Sequence, residues 1–258
     1  MALPSLSVLI STYNDRDLVQ KKMDEIRRQT IFCEVEFIFV ETASPQKERE
    51  LLQPLCDAHA NCKLVTTDTR ETLFAAWNRG WQLATGDWVC YSNMDDSMHP
   101  KLLEILRTSI ASHNWDLCGV LIAKQDEHAA QRDSWSQSHL SRLALSTRPG
   151  PFTAWRNDLR TELGEFEGAF ISAGDKDFWS RAIARKLKVG MIPKVLYLYT
   201  TGADQLSKQG VPASDQALMD AQPYPMLWPG LYRLQTKLWS PVLRLAPNLV
   251  VPSISALG

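Results

Sequence analysis

Two adjacent carboxylates, Asp95 and Asp96, follow a short apolar run and are the residues best suited to chemistry in this sequence. Neighbouring carboxylates repel each other unless a cation or a hydrogen-bond donor offsets their charge. Hard divalent ions such as Mg²⁺ and Mn²⁺ prefer oxygen ligands, and they commonly use one or two carboxylates together with substrate phosphates. The alternative is a solvated turn in which Asp96 or Ser97 caps the helix that begins near Pro100. The pair alone leaves both interpretations open.

Three further polar clusters stand where predicted strands end or a predicted helix begins. They are Ser11-Thr12-Tyr13-Asn14, Glu41-Thr42-Ala43-Ser44 and Gly174-Asp175-Lys176-Asp177. In open α/β sheets, ligands bind beyond the carboxyl ends of the strands. Together with the loop that holds Asp95 and Asp96, these clusters predict one composite binding site at that edge of a sheet.

Alternating strands and helices must position these clusters. Short runs rich in branched or aromatic residues predict strands, and longer amphipathic stretches between them predict helices. The predicted strands are Ser7–Ser11, Val35–Val40, Lys63–Thr66 and Trp88–Tyr91, and the predicted helices are Asp17–Arg28, Gln46–Ala60 and Thr72–Ala84. This order predicts an α/β fold with a mostly parallel central sheet flanked by helices. Gly86 follows the third helix, where a helix stop is expected.

The second half of the chain is less regular. The predicted elements are a helix from about Pro100 to His113, a strand at Leu117–Ala123, a helix near Asp177–Lys188 and a strand near Val195–Tyr199. Between them, Lys124–Pro151 is polar and has no clear period. A segment of that length favours a functional, mobile or partly helical region over a structureless loop.

The chain changes character after residue 210. Repeated prolines and frequent aromatic residues predict a boundary there, with one α/β domain over 1–210 and a C-terminal extension over 211–258. From Tyr224 to Val251 the extension has basic residues, Trp228 and Trp239 but no acidic residue, a composition that suits a membrane interface. Packing of the tail on the domain over 1–210, or a dimer contact, is the alternative and the favoured interpretation.

Composition excludes several classes of function. The net charge of −1 and the lack of a basic run argue against nucleic-acid binding. The five cysteines form no C-x-x-C pair, which argues against a disulfide framework or a zinc site and fits a reducing cytosol. The sequence contains no apolar run of about 18 residues, so no membrane-spanning helix is predicted. The N-terminus lacks the pattern of a secretory signal. We therefore expect a cytoplasmic protein, peripheral at the inner face of the membrane if the extension binds lipid.

Four segments resemble the GT-A glycosyltransferases of family two. In chain order they read SVLISTYN, FIFVETAS, AAWNRGWQLATGDWVCYSNMDD and SAGDKDFWSR, and matching sequence extends from about Ser5 to Ser207. The resemblance implies a Rossmann-like nucleotide-binding core, a divalent metal and inversion of the anomeric centre. It also implies transfer of a hexose from a nucleotide-diphosphate donor, for which a UDP-sugar is the usual choice in this family. The implied acceptor is a glycan or a lipid-linked molecule, and the implied setting is polysaccharide biosynthesis.

The resemblance also implies a donor site. Thr12 and Tyr13, after the first strand, would line the nucleoside pocket, and Arg70 would contact the nucleotide. Glu41 stands where the family usually has an aspartate that contacts the base. A longer carboxylate therefore takes that role, or the base preference differs.

The acidic pair matches the metal-binding element of the family. By this resemblance Asp96 would be the direct ligand of Mn²⁺ or Mg²⁺, and Asp95 would lie nearer the ribose or the sugar. Asn93 and Met94 replace the more usual acidic and small residues ahead of the pair. Gly202 occupies the place where many relatives have a histidine that reaches the metal, so we expect water or the diphosphate to complete the coordination.

Asp175 matches the general base of the family, which takes the proton of the acceptor hydroxyl as its oxygen attacks the sugar. A first-turn acid favoured by the helix dipole is the other interpretation, and it is the preferred one for Asp177. Trp155, ahead of the base, is expected to pack in the core, with stacking on a sugar ring as the alternative.

Two other functions are compatible with a core of this kind. A catalytically silent homologue that binds a nucleotide or a glycan would explain the replaced residues ahead of the acidic pair. It would not explain why that pair and Asp175 are all retained. A nucleotidyltransferase needs a glycine-rich basic loop after the first strand, where this sequence has Thr12-Tyr13-Asn14-Asp15-Arg16, so that function is set aside.

Overall fold

The computed structural model describes residues 2–126, 135, 140, 144–145, 150–202 and 210–227. Within these ranges nine strands form one sheet with helices packed on it. The strands are β1 (Leu6–Thr12), β2 (Val35–Thr42), β3 (Cys62–Thr67), β4 (Trp88–Tyr91), β5 (Ser97–Met98), β6 (Leu117–Asp126), β7 (Ala144–Leu145), β8 (Thr153–Arg156) and β9 (Val189–Thr201). The helices are α1 (Val19–Arg27), α2 (Arg49–Asp57), α3 (Leu73–Leu83), α4 (Leu102–Ser112), α5 (Leu159–Glu162), α6 (Gly174–Ala184) and α7 (Ala213–Asp220).

The first four strands form the parallel half of the sheet, in the order β3-β2-β1-β4. β1 is central to this half, since its Leu6 lies opposite Val35 on one side and Trp88 on the other. Almost every residue of β1, β2 and β4 is buried, as expected for parallel strands that are covered on both faces. The predicted alternation of strands and helices up to Tyr91 is therefore confirmed.

Strand β8 joins this parallel half to the remainder of the sheet. It pairs antiparallel with β4 on one side and with β6 on the other. β6 and β9 are parallel to each other, and the short strands β7 and β5 add to β6 and β9 in antiparallel fashion. The predicted strands Leu117–Ala123 and Val195–Tyr199 are thus found as the longer β6 and β9. β8 was not predicted, because its sequence TAWR lacks the continuous apolar run that marks the equally short β4, WVCY.

An aromatic cluster supports the sheet beneath the predicted site. The ring of Trp77 stacks on that of Tyr91, with centroids 3.8 Å apart, and Trp155 meets Trp81 edge-on at 5.2 Å. Aromatic pairs of this kind add stability beyond the area that they bury. Trp155 is 0% exposed, which confirms the prediction that it packs in the core.

The described part of the C-terminal extension, residues 211–227, packs on the rest of the chain. Leu218 and Met226 pack against the hydrophobic core cluster that contains these aromatic rings, and Tyr224 donates a hydrogen bond to Asp177 of α6 at 2.7 Å. Most of the predicted membrane segment Tyr224–Val251 lies outside the described residues, as does most of Lys124–Pro151. In the ranges that the structure describes, no helix combines the length and the apolar character needed to cross a membrane.

Gly86 is required where α3 gives way to β4, because the chain there runs against the backbone of β1. A Cβ atom at this position would lie 2.7 Å from Leu6 C and Ser7 N, closer than real Cβ contacts. The Gly86 amide also donates to Ser7 Oγ at 2.9 Å. We expect Gly86→Ala to lower the free energy of unfolding by about 1–3 kcal/mol, the usual cost of overpacking, as measured by urea denaturation. Gly168→Ala is the matched control, since its Cβ would meet only Ala75 at 3.6 Å, and equal losses in both variants would contradict this explanation.

Candidate active site

The carboxyl ends of β1, β2 and β4 place three of the predicted polar clusters side by side. Thr12 at the end of β1 lies opposite Glu41 of β2, and the loop after β4 carries Asp95 and Asp96. Neighbouring parallel strands present their carboxyl ends at the same edge of the sheet, which is where open α/β folds bind ligands. These loops therefore meet at the edge where the sequence predicted a composite site.

Tyr13 and Arg70 come together at this edge although they follow different strands. The guanidinium carbon of Arg70 lies 4.2 Å from the centroid of the Tyr13 ring, a cation–π geometry. Tyr13 is half-buried and Arg70 is exposed, whereas Thr12 beside them in the chain is buried. An aromatic face with a guanidinium over it offers both a stacking surface and hydrogen-bond donors to an entering ligand.

The carboxylate of Glu41 is fully buried and held by donors of the protein itself. One oxygen accepts the Ser44 amide at 2.5 Å, and the other lies 2.6 Å from Nη2 of Arg49 at the start of α2. Arg49 also donates to the carbonyl of Thr67 at the end of β3, and its side chain is 38% exposed. A ligand entering here meets the Arg49 guanidinium before the Glu41 carboxylate. This role of Arg49 was not predicted, because an arginine in the first turn of a helix is ordinarily a surface residue.

The carboxylate of Asp96 is 0% exposed and accepts three hydrogen bonds. The donors are the Tyr197 hydroxyl at 2.9 Å, the Thr200 amide at 2.8 Å and the side-chain amide of Asn93 at 3.0 Å. Burial raises the pKa of Asp96 well above its usual value, and the negative charge of Asp95 raises it further. Asp96 is therefore tied to β9 and is sealed from solvent.

Lys22 supports the acidic loop from beneath. It lies on α1, is 1% exposed, and donates from Nζ to the backbone carbonyl of Asp96 at 2.8 Å and to Ser92 Oγ at 3.2 Å. Its charge is paired with Glu25 at 2.9 Å, which is equally buried. A buried ammonium is stable only when it is paired and hydrogen-bonded in this way. The sequence did not indicate this role, since a lysine in an amphipathic helix is usually solvated.

Acidic groups gather beside the half-buried Asp95. The backbone carbonyl of Asp95 accepts the Thr200 hydroxyl at 2.6 Å, which fixes the loop. Burial raises the pKa of nearby Asp15 to about 6, with further contributions from the charges of Asp95 and Glu48. Glu48 is itself 0% exposed and accepts the Asp15 amide at 2.6 Å. Since like charges so placed repel each other, a cation at this edge would be stabilised.

Asp175 lies in the first turn of α6 and is half-buried. One of its oxygens accepts the amide of Lys176 at 2.7 Å. Tyr91 at the end of β4 and Trp179 of α6 both hydrogen-bond Thr153 Oγ1, at 3.3 and 3.1 Å, so α6 packs against the end of β4. Burial raises the pKa of Tyr91 well above its usual value, and the charges of Asp175 and Asp96 raise it further. Both carboxylates therefore lie near the end of β4. Asp177 is different, since it is 1% exposed and bonds Arg181 and Tyr224, as expected of a structural acid.

The residues at this edge fit a divalent cation that shares its ligands with a substrate. Among the described residues, no group of three His, Cys, Asp or Glu side chains is placed to hold a metal ion unaided. Asp95 supplies hard carboxylate oxygen, and phosphate oxygens of a ligand would supply the rest, as is common for Mg²⁺. Gly202, where a histidine ligand is expected by resemblance, is buried at the end of β9.

Solved structures that share this fold have the GT-A architecture. S. aureus TarS 1–349 in complex with UDP-GlcNAc matches with a TM-score of 0.67 and 16% identity, over 83% of this chain and 64% of that chain. The mannosyltransferase PcManGT from Pyrobaculum calidifontis, in complex with GDP-Man and Mn²⁺, matches with a TM-score of 0.59 and 18% identity. That match covers 81% of this chain and 60% of the PcManGT chain. The predicted GT-A fold is confirmed.

Sequence comparison identifies the family. The model of glycosyl transferase family 2 matches residues 7–171, and the chain belongs to that family. Glycosyltransferase AglE from Haloferax volcanii is 27% identical over 188 residues. That match covers 70% of this chain and 62% of the relative, so the chain spans less than two thirds of the relative's length.

The raised pKa of Asp15 predicts a pH dependence of stability. Between pH 4 and 6 the folded protein keeps a proton on Asp15 that the unfolded chain has released, so the free energy of unfolding falls as pH rises. We expect Asp15→Asn to reduce this decrease in the free energy of unfolding by roughly 1–3 kcal/mol, as measured by urea denaturation between pH 4 and 6. Asp57→Asn, which changes an exposed carboxylate on α2, should show the same dependence of unfolding free energy on pH as the native protein. An unchanged fall in the Asp15 variant would show that another group causes it.

Proposed function

We propose that this protein is an inverting glycosyltransferase that moves a sugar from a nucleotide-diphosphate donor to an acceptor hydroxyl. The observation that carries the proposal is that α6, which begins with Asp175, packs against the end of β4, the strand that leads into the loop with Asp95 and Asp96. Tyr91 at the end of β4 and Trp179 of α6 both hydrogen-bond Thr153 Oγ1, at 3.3 and 3.1 Å. Such a transfer needs a base at the acceptor hydroxyl and stabilisation of the charge on the departing diphosphate.

The nucleoside half of the donor would bind at the ends of β1 and β2. Tyr13 and Arg70 offer a stacking face and a cation, and the buried Thr12 precedes Tyr13 at the end of β1. Because Glu41 is covered, we infer that the base is contacted through the exposed guanidinium of Arg49. A UDP-sugar is the proposed donor on the family resemblance. The structures of TarS with UDP-GlcNAc and of PcManGT with GDP-Man support a nucleotide sugar of either base.

The diphosphate would lie at the acidic loop with Mn²⁺ or Mg²⁺ between them. When bound, the ion neutralises negative charge that develops on the departing diphosphate. Burial argues that Asp95 makes the direct contact. Asp96, which the resemblance assigned as the ligand, already accepts three protein hydrogen bonds and has no exposed surface, so it holds the loop that presents Asp95. The Mn²⁺ in the PcManGT complex supports a divalent ion in a protein of this fold.

Asp175 would act as the base. It accepts the proton of the acceptor hydroxyl while the hydroxyl oxygen forms its bond to C1 of the sugar. The bond from C1 to the diphosphate oxygen breaks on the opposite face, which inverts the anomeric centre. The transition state resembles an oxocarbenium ion, so a nearby carboxylate also stabilises it electrostatically.

A glycan or a lipid-linked molecule is the proposed acceptor. This part of the proposal rests on the family resemblance and on the basic, aromatic composition of Tyr224–Val251. The corresponding setting is polysaccharide assembly on the cytoplasmic side of a membrane. No residue of the described ranges is assigned to the acceptor itself.

A catalytically silent, nucleotide-binding homologue is the second candidate. Asn93 favours it, since an amide replaces the acidic residue usual in the family and donates to Asp96 at 3.0 Å. The same contact also serves an active enzyme, because it satisfies a buried carboxylate without adding a further negative charge. Turnover of donor sugar distinguishes the two candidates.

A ligand screen tests the donor site and the metal together. UDP, GDP, CDP and dTDP are each added with and without Mn²⁺, and the melting temperature and the calorimetric affinity are measured. We expect one nucleotide to stabilise the protein only with Mn²⁺, by about 3 kcal/mol at 100 times its dissociation constant. Asp95→Asn should abolish that stabilisation. Asp96→Ala should instead lower the stability of the free protein, and Asp57→Asn is the control. Metal-independent binding in every case would contradict the assigned metal site.

Asp175→Asn tests the base. The variant keeps the shape of the side chain but cannot accept the proton, so we expect turnover to fall by about 10²–10⁴-fold while nucleotide affinity stays the same. The measurement is UDP release from UDP-GlcNAc, or GDP release from GDP-Man, with the variant and the native protein in parallel. Asp158→Asn, an exposed carboxylate before α5, is the control. Native turnover in the Asp175 variant would rule out its role as base.

A further inference from the structure

The loop that precedes Asp175 is bound by a carboxylate from the C-terminal extension. Asp215 lies in the first turn of α7 and is 0% exposed. Its Oδ1 accepts the amide of Ile171 at 2.8 Å, and its Oδ2 accepts the amides of Ser172 at 2.7 Å and Ala173 at 3.1 Å. The hydroxyl of Ser172 adds a fourth hydrogen bond at 3.0 Å. Every one of these donors lies within the three residues ahead of α6.

This arrangement ties the loop that enters α6 to another helix. Ala173 is the N-cap residue of α6, and its own side chain makes no capping hydrogen bond. The N-terminal amides of a helix lack partners within the helix, and an acidic side chain near them is stabilised by the helix dipole. Asp215 accepts the N-cap amide of Ala173 and the two amides before it, while it also lies in the first turn of α7. Hydrogen bonds to an ionised acceptor are stronger than neutral ones, so the loop is firmly held.

Two further contacts bind the same segment along α6. The Tyr224 hydroxyl donates to Asp177 at 2.7 Å, and the Leu227 amide donates to Ser180 Oγ at 2.8 Å. Residues 210–227 therefore contact α6 at its N-terminal loop, in its first turn and in its second turn. Asp175 lies between the first and second of these contacts.

We propose that Asp215 is a positioning residue for catalysis, which acts by fixing the backbone that carries Asp175. This inference rests on the proposed role of Asp175 as base. The family match ends at residue 171, so the extension supplies a part of the catalytic apparatus that the matched region lacks. The nucleoside and acidic-loop residues are held by other elements, β9 and α1 among them. Asp215 should therefore affect turnover and leave donor binding intact.

The test compares Asp215→Asn with Asp220→Asn. Both residues lie on α7, but Asp220 is exposed and bonds only the Gln216 side chain among the contacts described for it. The readouts are the kcat and KM for nucleotide release from UDP-GlcNAc or GDP-Man, and amide hydrogen exchange over residues 171–175. In Asp215→Asn we expect kcat to fall about 10- to 100-fold, as for a small misplacement of a reacting group. KM should stay within about twofold of native, and exchange at 171–173 should become faster.

Several outcomes would overturn the inference. If Asp215→Asn has native kcat although amide exchange at 171–173 is faster, catalysis does not require this loop to be fixed. A parallel loss of donor affinity would indicate a general structural role. Asp215→Glu should restore part of kcat because it restores the charge, and no recovery relative to Asp215→Asn would count against the proposal. If Asp215→Asn does not fold, Ser172→Ala is used in its place, because it removes one hydrogen-bond donor to Asp215. A severalfold lower kcat at native KM then supports the inference, and a native kcat overturns it.

Asp175→Asn in the same assay separates this inference from the proposed function. If that variant is inactive while Asp215→Asn retains native kcat, only the positioning role is wrong. If Asp175→Asn retains native kcat, the assigned base is wrong, and the role of Asp215 is rejected with it.

Discussion

The buried carboxylate of Asp96 is the interaction on which both the sheet and the candidate site depend. An ionisable group without access to water is tolerated only when protein donors surround it. Here two of those donors, Tyr197 and Thr200, come from β9, while Lys22 of α1 binds the backbone of the same loop. The loop after β4 is therefore held by a strand and by a helix. Removing one partner of the buried Lys22–Glu25 ion pair would cost about 3–5 kcal/mol, and loss of Lys22 would also remove its hydrogen bond to the Asp96 carbonyl.

The two halves of the site are supported by opposite arrangements. In the acidic loop, a buried carboxylate belongs to the site and the donors come from the surrounding elements. Near Asp175, the proposed base, the donors are backbone amides, and the buried carboxylate of Asp215 comes from the extension. In both arrangements a half-buried aspartate lies close in sequence to the buried group or to its donors, Asp95 in one and Asp175 in the other. A buried neighbour would thus orient the half-buried acid in each case.

Local patterns predicted those parts of the molecule that local forces determine. The branched runs of β1, β2 and β4 had to be buried strands, and the polar residues after them had to lie at one edge. Contacts across the chain could not be predicted in this way. Lys22 looks like a solvated helix residue until Ser92 and Asp96 are placed against it. Asp215 looks like an ordinary first-turn acid, and nothing around it in sequence indicates that its donors precede α6.

The order of charges along the sheet edge matches the order of groups in a nucleotide sugar. Arg49 of α2 contacts Glu41 in β2 and the carbonyl of Thr67 at the end of β3, and Arg70 stacks on Tyr13 after β1, so cations and an aromatic face lie at one end. The acidic loop follows after β4, and Asp175 lies beyond it. A diphosphate placed at the acidic loop would be repelled unless a divalent ion stood between them. The same negative charge that requires the ion would therefore make donor binding conditional on it, and Asp175, the proposed base, would stay free of phosphate.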